Sequence, residues 1–211
     1  MGLDRAGWPF ILGALILALV VAWWLGRLWA APFVVLAAFF VFFFRDPHRT
    51  VPTGPNLVVS PADGRVMIVG APPFPGAPAG DWQLVSIFLS PLDVHINRTP
   101  VEGRVAKVEY HAGKFLPAYQ TAAGTHNEWT EVWFERQGTT IVCRQIVGIL
   151  ARRIVTRLTV GQQVARGERF GVMKFGSRID LFVPRSATLT VKAGDRVVAG
   201  ESVVAKTAGT D

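Results

Sequence analysis

Two long apolar runs near the start of the chain place the first limit on its fold. The first run extends from Trp8 to Trp24 and the second from Leu28 to Phe44, with a short break between them. Each run is near the length at which an α-helix crosses the hydrocarbon core of a bilayer. The pattern predicts a membrane-associated helical hairpin over residues 1–50, followed by a second domain over residues 51–211.

Charged residues at the ends of the runs predict the orientation of this hairpin. Arg5 precedes the first run, Arg45 and Arg49 follow the second, and Arg27 is the only charged residue between them. Because cationic flanks are retained on the cytoplasmic side of a membrane, we expect both ends of the hairpin to lie there. The remaining domain is then expected on the cytoplasmic side of the cell membrane.

Two alternatives for the apolar runs stay open. The first run also resembles a signal peptide, with Ala30-Ala31 as a weak cleavage site. The hairpin can also enter one leaflet without crossing the bilayer. Under either alternative the second run still requires a membrane.

The charge balance favours an anionic partner. The chain has a formal net charge of +7 and a single cysteine, Cys143. With an apolar hairpin in the same chain, lipid headgroups are favoured over nucleic acid, for which no dense basic tract is present. One cysteine excludes an intrachain disulfide, and the sequence predicts no metal site.

Beyond residue 51 the pattern is typical of β-structure. Short runs rich in β-branched residues, several of them alternating polar and apolar, are separated by Gly, Pro and Asp. The proline-rich stretch 72–78 predicts a loop. We therefore expect a mainly β fold whose second domain is antiparallel β, preceded by the α-helical hairpin.

One short sequence pattern occurs twice in the second half of the chain. Residues 160–168 are echoed 33 residues later by residues 193–201, with Gly, Val, Gly and Glu at matching offsets. This echo predicts a lipoyl/biotinyl-like barrel-sandwich element. The alternative is that the pattern is only a frequent β-turn sequence.

A Gly-Ser step between two strand-like segments can undergo a rare reaction that cleaves the chain. The hydroxyl of Ser177 can attack the carbonyl of Gly176, which converts the peptide bond into an ester. β-Elimination then breaks the chain, and hydrolysis of the resulting dehydroalanine leaves a pyruvoyl group. Glycine suits the first position because it tolerates unusual backbone geometry. By itself, however, Gly-Ser is also a common turn dipeptide.

Three polar segments upstream supply candidate acid–base groups. Asp63 lies in the turn at residues 60–64, and His95 lies within residues 89–100 close to a predicted strand end. His126, Asn127 and Glu128 form a polar loop before a strand. Each segment also has an ordinary explanation: a turn-forming aspartate, a structural histidine and a solvated loop.

Together and in this order, these segments resemble the phosphatidylserine decarboxylase family in its short bacterial or archaeal form. The resemblance covers nearly the whole chain. Its motifs are Phe-Phe-Arg-Asp-Pro-x-Arg (43–49), Ser-Pro-Ala-Asp-Gly (60–64), Leu-Ser-Pro-x-Asp-Val-His-x-Asn-Arg-x-Pro (89–100), Asn-Glu (127–128), Gln-Ile-Val-Gly with Ala-Arg-Arg-Ile (145–148 and 151–154), and Phe-Gly-Ser-Arg-x-Asp (175–180).

The resemblance implies a self-cleaving decarboxylase. The chain would be cut between Gly176 and Ser177 into a β chain, 1–176, and an α chain, 177–211, which stay together. Ser177 would become a covalent pyruvoyl cofactor that forms a Schiff base with phosphatidylserine and yields phosphatidylethanolamine. Asp63 would assist the base in self-cleavage, and His95 would act as an acid or base.

The resemblance also suggests headgroup-binding residues, but the chain departs from the family pattern at two places. The candidates are Arg98, His126, Asn127, Glu128 and Arg178. Arg98 stands where the long forms have a second histidine, which takes part in their self-cleavage. Either His95 then serves in both self-cleavage and decarboxylation, or a group such as His126 replaces the second histidine. Trp129 stands where an arginine is frequent after Asn-Glu. The headgroup role of that arginine would then pass to Arg98, Arg152 or Arg178.

Two other classes of function remain as alternatives. Val172 to Phe175 resembles the Met-Lys turn of a biotinyl or lipoyl carrier domain, in which Lys174 would carry the cofactor. A membrane-anchored β-domain without catalysis is the other alternative. The sequence leaves the oligomeric state open, including a homo-oligomer.

Overall fold

A computed structural model describes residues 2–149, 154–174 and 176–208. Phe175 and the stretch 151–153, which belong to two of the quoted motifs, lie outside these residues. The chain forms two compact units, Met1–His48 and Arg49–Asp211.

The first unit is a helical hairpin, as the apolar runs predict. Helix α1 spans Trp8–Leu25 and helix α2 spans Arg27–Phe43, with Gly26 between them at a φ of 96°. Two short strands, β1 (Gly2–Leu3) and β2 (Arg45–Asp46), pair where the hairpin closes. Within the described residues, the stretch Arg5–Leu25 is long and apolar enough to cross a membrane, whereas α2 is shorter.

The second unit is built almost entirely of strands, so that the prediction of a mainly β fold is confirmed. One short helix, α3, interrupts them. The elements are β3 (Leu57–Val59), β4 (Gly64–Gly70), β5 (Trp82–Leu89), β6 (Ile96–Arg98), β7 (Gly103–His111), α3 (Ala123–His126), β8 (Trp129–Arg136), β9 (Thr139–Ile146), β10 (Ile154–Thr156), β11 (Gln163–Val164), β12 (Arg169–Met173), β13 (Ser177–Pro184), β14 (Thr188–Leu189), β15 (Arg196–Val197) and β16 (Val203–Lys206).

These strands form one large antiparallel sheet and two small ones. The large sheet has the order β11-β7-β8-β9-β13-β5-β4-β15, and the small sheets have the orders β10-β12-β6 and β14-β16-β3. Strand β13 lies in the middle of the large sheet. Its side chains alternate between the main apolar core, which Ile179 and Leu181 join, and the opposite face, which carries Arg178 and Asp180.

The large sheet consists of two similar halves. The first four strands of the order form one half and the last four form the other. Between the halves, β11 corresponds to β15, β7 to β4, β8 to β5 and β9 to β13. The turn Ser-Pro-Ala-Asp-Gly before β4 is matched, 39 residues later, by Thr-Pro-Val-Glu-Gly before β7. A β-bulge interrupts β4 between Val66 and Ile68, and another interrupts β7 between Val105 and Lys107.

The strand registers relate the halves by an approximate twofold axis between β9 and β13. Arg65 pairs with Phe88 in one half, as Arg104 pairs with Glu135 in the other. The sequence echo fits this arrangement, because β11 and β15 are the two edge strands of the large sheet. The echo thus belongs to a duplicated sheet. A lipoyl/biotinyl-like barrel-sandwich is not confirmed.

The twofold relation assigns each residue of the predicted site a counterpart. Asp63 corresponds to Glu102, His95 to Asn56, and the Gly176-Ser177 step to Gly138-Thr139. Gly176 and Gly138 even share a left-handed backbone, with φ of 72° and 75°. One end of the sheet therefore provides an internal comparison for the other.

Candidate active site

Ser177 begins β13 and is fully buried. Its register partner is Leu89, the last residue of β5. Its hydroxyl has no hydrogen-bond partner among the described residues. A buried hydroxyl without a partner is energetically costly, which is typical of a group that is kept for chemistry.

The carbonyl that precedes Ser177 is tightly packed. Gly176 has a φ of 72°, a conformation that favours glycine. Its carbonyl oxygen lies against Gly148, so close that a Cβ at Gly148 would be 2.2 Å from it. The Gly176 carbonyl, which directly precedes Ser177 in the chain, therefore has little room to move.

His95 is buried at the start of β6. Its Nδ1 lies 2.9 Å from the carbonyl oxygen of Asp93, and its own carbonyl accepts a hydrogen bond from the Met173 amide. A carbonyl only accepts, so Nδ1 must carry the proton that is donated to Asp93. In the neutral ring Nε2 then carries the basic lone pair, which is the form that a general base requires.

Asp63 lies at the start of β4 and makes two close contacts. One carboxylate oxygen accepts a hydrogen bond from the Ala199 amide at 2.8 Å, and the other forms an ion pair with Arg49 at 2.7 Å. Burial raises the pKa of Asp63 above its usual value, while the Ala199 hydrogen bond and the Arg49 charge oppose that rise. The carboxyl is thus held in a partly desolvated place next to the Arg49 guanidinium.

Its counterpart Glu102 is held differently. Two guanidinium groups contact it, Arg136 at 2.6 Å and Arg166 at 2.8 Å. The pKa of Glu102 falls to about 2 because hydrogen bonds to these arginines outweigh the effect of burial. The two related carboxyls are therefore shifted in opposite directions, and only Asp63 lies at the end that carries the Gly-Ser step.

The register brings the turn of Asp63 close to Ser177. Arg65 pairs with Phe88, and Leu89 pairs with Ser177, so Gly64 and Ser177 are two strand spacings apart. Two spacings are about 10 Å between backbones, a gap that side chains can bridge in part. The structure thereby brings two distant sequence segments to one end of the sheet.

Three of the predicted headgroup residues are engaged inside the domain. Arg98 donates to the carbonyl of Gly167 at 2.9 Å. Arg178 is buried on the face opposite Ser177 and forms a double hydrogen bond with Asp180, at 2.6 and 2.8 Å. The Asn127 side chain bonds backbone groups of Leu116 and Val147. These contacts hold loops and strands in place.

The other two headgroup candidates lie nearer to the surface. His126 ends α3 and is exposed, and its carbonyl accepts a hydrogen bond from the Lys114 amide. Glu128 is half-buried, and its carbonyl accepts from the Val147 amide. Arg152 lies outside the described residues.

Sequence reasoning missed two residues at this end of the sheet. Arg49 flanks the hairpin and ends the motif at 43–49, but the sequence assigns it no role in the site, although it contacts Asp63. Gly148 was read only as part of a motif, although it contacts the Gly176 carbonyl. Their presence within the quoted motifs was the available signal, but only the folded chain shows which groups they touch.

Lys174 does not lie in a carrier-type turn. Strand β12 before it pairs with β6 and β10, whereas β13 after it pairs with β5 and β9. The segment therefore joins two sheets, while a carrier lysine needs the tip of a hairpin. The carrier interpretation gains no support from this geometry.

Comparison with known proteins gives a consistent result. The family model for phosphatidylserine decarboxylase matches residues 36–205. A phosphatidylserine decarboxylase proenzyme of Symbiobacterium thermophilum is 47% identical over 207 residues, covering 96% of this chain and 94% of the relative. One of Chlorobium phaeobacteroides is 50% identical over 173 residues, covering 81% and 80%. One of Nitrosomonas europaea is 41% identical over 203 residues, covering 96% and 94%.

These matches extend over most of the chain and include both ends of the large sheet. They agree with the order of motifs and with the buried Ser177 hydroxyl beside the Gly176 carbonyl. The chain therefore belongs to the phosphatidylserine decarboxylase family, a family of carboxy-lyases.

Proposed function

We propose that the chain cuts itself between Gly176 and Ser177, and that the product decarboxylates phosphatidylserine to phosphatidylethanolamine at a membrane surface. The observation that carries this proposal is the buried Ser177 hydroxyl, which has no hydrogen-bond partner among the described residues, next in the chain to the tightly packed Gly176 carbonyl. The proenzyme names of the relatives agree with it.

Self-cleavage needs only groups of the chain and one water. The Ser177 oxygen bonds to the Gly176 carbonyl carbon, the peptide C–N bond breaks, and the hydroxyl proton moves to the released amine. Loss of the Ser177 α-proton then expels the Gly176 carboxylate and leaves dehydroalanine. Water hydrolyses its imine tautomer to a pyruvoyl group and ammonia.

The proposal assigns the proton transfers to two residues. His95, through Nε2, is the proposed base for the Ser177 hydroxyl, assisted by the charge of Asp63. The twofold counterparts support this placement, because Asn56 accepts a hydrogen bond from Arg136 and Arg136 pairs with Thr139. The equivalent neighbours on the other end are His95, Leu89 and Ser177.

The site also fits a cofactor made in place. A pyruvoyl group at position 177 would supply a carbonyl that binds the substrate amine and accepts the electrons released with carbon dioxide. Ser177 is fully buried, so bulk water is kept from that position. His95 would then return a proton to the substrate carbon.

The small chain would stay bound after cleavage. Residues 177–184 form β13, which is hydrogen-bonded to β5 on one side and to β9 on the other. Seven of its eight residues are buried. The α chain, 177–211, would therefore remain at the centre of the large sheet.

Exposed apolar side chains near the site fit a lipid substrate. Leu92 follows the strand that pairs with Ser177, Ile149 follows Gly148, and Tyr119 follows Ala118; they are 65%, 56% and 60% exposed. With the apolar hairpin and the net charge of +7, they favour an anionic lipid interface. Of the predicted headgroup residues, we retain His126 and Glu128. We place the domain on the cytoplasmic side.

The test is turnover of phosphatidylserine in detergent micelles by the full chain. We expect release of carbon dioxide and formation of phosphatidylethanolamine, with free serine turned over poorly because it lacks the binding energy of the glycerophosphate. Hydroxylamine or borohydride should abolish the reaction by attacking the carbonyl or its imine. Equal turnover of free serine, or activity that survives both reagents, would contradict the proposal.

Self-cleavage should slow at acid pH in a way that depends on Arg49. If Asp63 must be ionised, the rate falls as pH drops through its pKa, which burial holds above the usual value. Arg49 lowers that pKa, so Arg49→Gln should move the fall in cleavage rate at acid pH, the acid limb, to higher pH. Rates of chain cleavage between pH 4 and 8 measure this shift.

Arg49→Lys is the matched control, because it keeps the charge next to Asp63. It should leave the acid limb near that of the unmodified chain. An acid limb that is the same in Arg49→Gln and in Arg49→Lys would remove Asp63 ionisation from the explanation.

A further inference from the structure

The approach of Gly148 to the Gly176 carbonyl is closer than any side chain allows. A Cβ on Gly148 would lie 2.2 Å from that oxygen and 3.3 Å from the Cβ of Ala118. Ordinary contacts between such atoms are about 3.5 Å. The backbone of Gly148 is not in the left-handed region, so other residues could adopt its conformation. Space, and not backbone freedom, requires glycine here.

The other end of the sheet shows what happens without this constraint. Strands β9 and β13 correspond residue by residue over their eight positions. Two residues beyond the end of each strand, Gly148 corresponds to Ser186. Ser186 lines the same cavity as Gly138, the counterpart of Gly176. At the end without a Gly-Ser step, the position that corresponds to Gly148 thus carries a side chain.

Gly148 is itself held firmly. The carbonyl of Val147 accepts a hydrogen bond from the Asn127 side chain at 2.8 Å, and the Val147 amide donates to Glu128 at 3.1 Å. Asn127 also bonds both backbone groups of Leu116. Gly148 therefore rests on a fixed backbone and cannot move away easily from Gly176.

We propose that Gly148 is a positioning residue for self-cleavage: the absence of its side chain lets the Gly176 carbonyl sit where the Ser177 hydroxyl can attack it. This inference rests on the proposed function and deepens it. Attack requires the oxygen and the carbonyl carbon within near-contact distance and in line, and a displacement of about 1 Å can cost on the order of 10²-fold in rate.

The test compares chain cleavage in freshly prepared precursor of the unmodified protein and of Gly148→Ala. Denaturing electrophoresis and intact mass monitor the cleavage. We expect Gly148→Ala to be cleaved about 100-fold more slowly than the unmodified protein. A thermal unfolding curve should show that the variant is folded. Gly148→Ser should be at least as slow.

Gly171→Ala is the matched control. It also has an ordinary backbone, and its Cβ would lie 2.6 Å from the carbonyl oxygen of Val155 and 2.9 Å from Nε2 of Gln145, with no atom of Gly176 or Ser177 among its three nearest neighbours. We expect Gly171→Ala to lose stability but to be cleaved at nearly the unmodified rate. Equal slowing in both variants would make the effect general and overturn the proposal.

A double variant tests the steric cause directly. Ala118→Gly removes the Cβ that would lie 3.3 Å from the new methyl group at position 148, which gives that group more room, so it should partly restore cleavage to Gly148→Ala. If Gly148→Ala does not fold, the double variant takes its place and should fold but cleave slowly. Cleavage of any folded Gly148→Ala chain at the unmodified rate would refute the proposal, whereas an uncut unmodified chain would refute the proposed function instead.

Discussion

Ser177→Ala should remain a single chain of 211 residues and show no decarboxylase activity. The unmodified protein should give fragments of 176 and 35 residues, and the smaller one should resist Edman sequencing because a pyruvoyl group has no amine. Without the Ser177 hydroxyl neither the ester nor the pyruvoyl group can form. Since Ser177 is fully buried and its hydroxyl has no described partner, removing that oxygen should cost little stability.

Thr139→Ala is the internal control for this experiment. Thr139 occupies the twofold-related position, after a glycine with the same backbone conformation, but its register partner is Arg136, which binds Glu102. It should be cleaved and active like the unmodified protein. Active protein that is still a single chain would contradict self-cleavage altogether, whatever the behaviour of the two variants.

The sequence predicts the elements of this protein better than their arrangement. The apolar runs predict α1 and α2 to within a residue or two, because lipid-length apolar runs have few alternative structures. The alternating runs predict antiparallel strands. The echo at residues 160–168 and 193–201 was detected, but its meaning depends on long-range pairing, which placed its strands at the two edges of the large sheet.

The site shows the same division. Gly176 and Ser177 stand out from the sequence because their chemistry is local to one peptide bond. The role of a buried arginine depends on which face of its strand carries the side chain and on the partner it meets there. Arg178, adjacent to Ser177, points to the opposite face of β13 and pairs with Asp180, since neighbouring residues of a strand alternate. Gly148 reaches Gly176 only because the end of β9 lies next to the start of β13.

Replacement of His95 should block self-cleavage even though the substitution is far from Ser177 in sequence. His95→Gln keeps a side chain of similar size that can still donate to the Asp93 carbonyl, but it cannot accept a proton as a base. Loss of a general base costs on the order of 10²–10⁴-fold in rate, so the precursor should accumulate uncut. The rate of chain cleavage, with a thermal unfolding curve, measures this effect.

His126→Gln decides whether a second histidine shares the task that Arg98 cannot perform. His126 is exposed at the end of α3, whereas His95 is buried beside the segment that leads to Ser177. We therefore expect His126→Gln to be cleaved normally. Normal cleavage of His95→Gln together with an uncut His126→Gln chain would transfer the role of base to His126.

If a fraction of His95→Gln is cut on long incubation, the rate of decarboxylation per cut chain separates the role of His95 in self-cleavage from its role in decarboxylation. A further loss at that stage would show that the same imidazole also returns the proton to the substrate carbon after carbon dioxide has left.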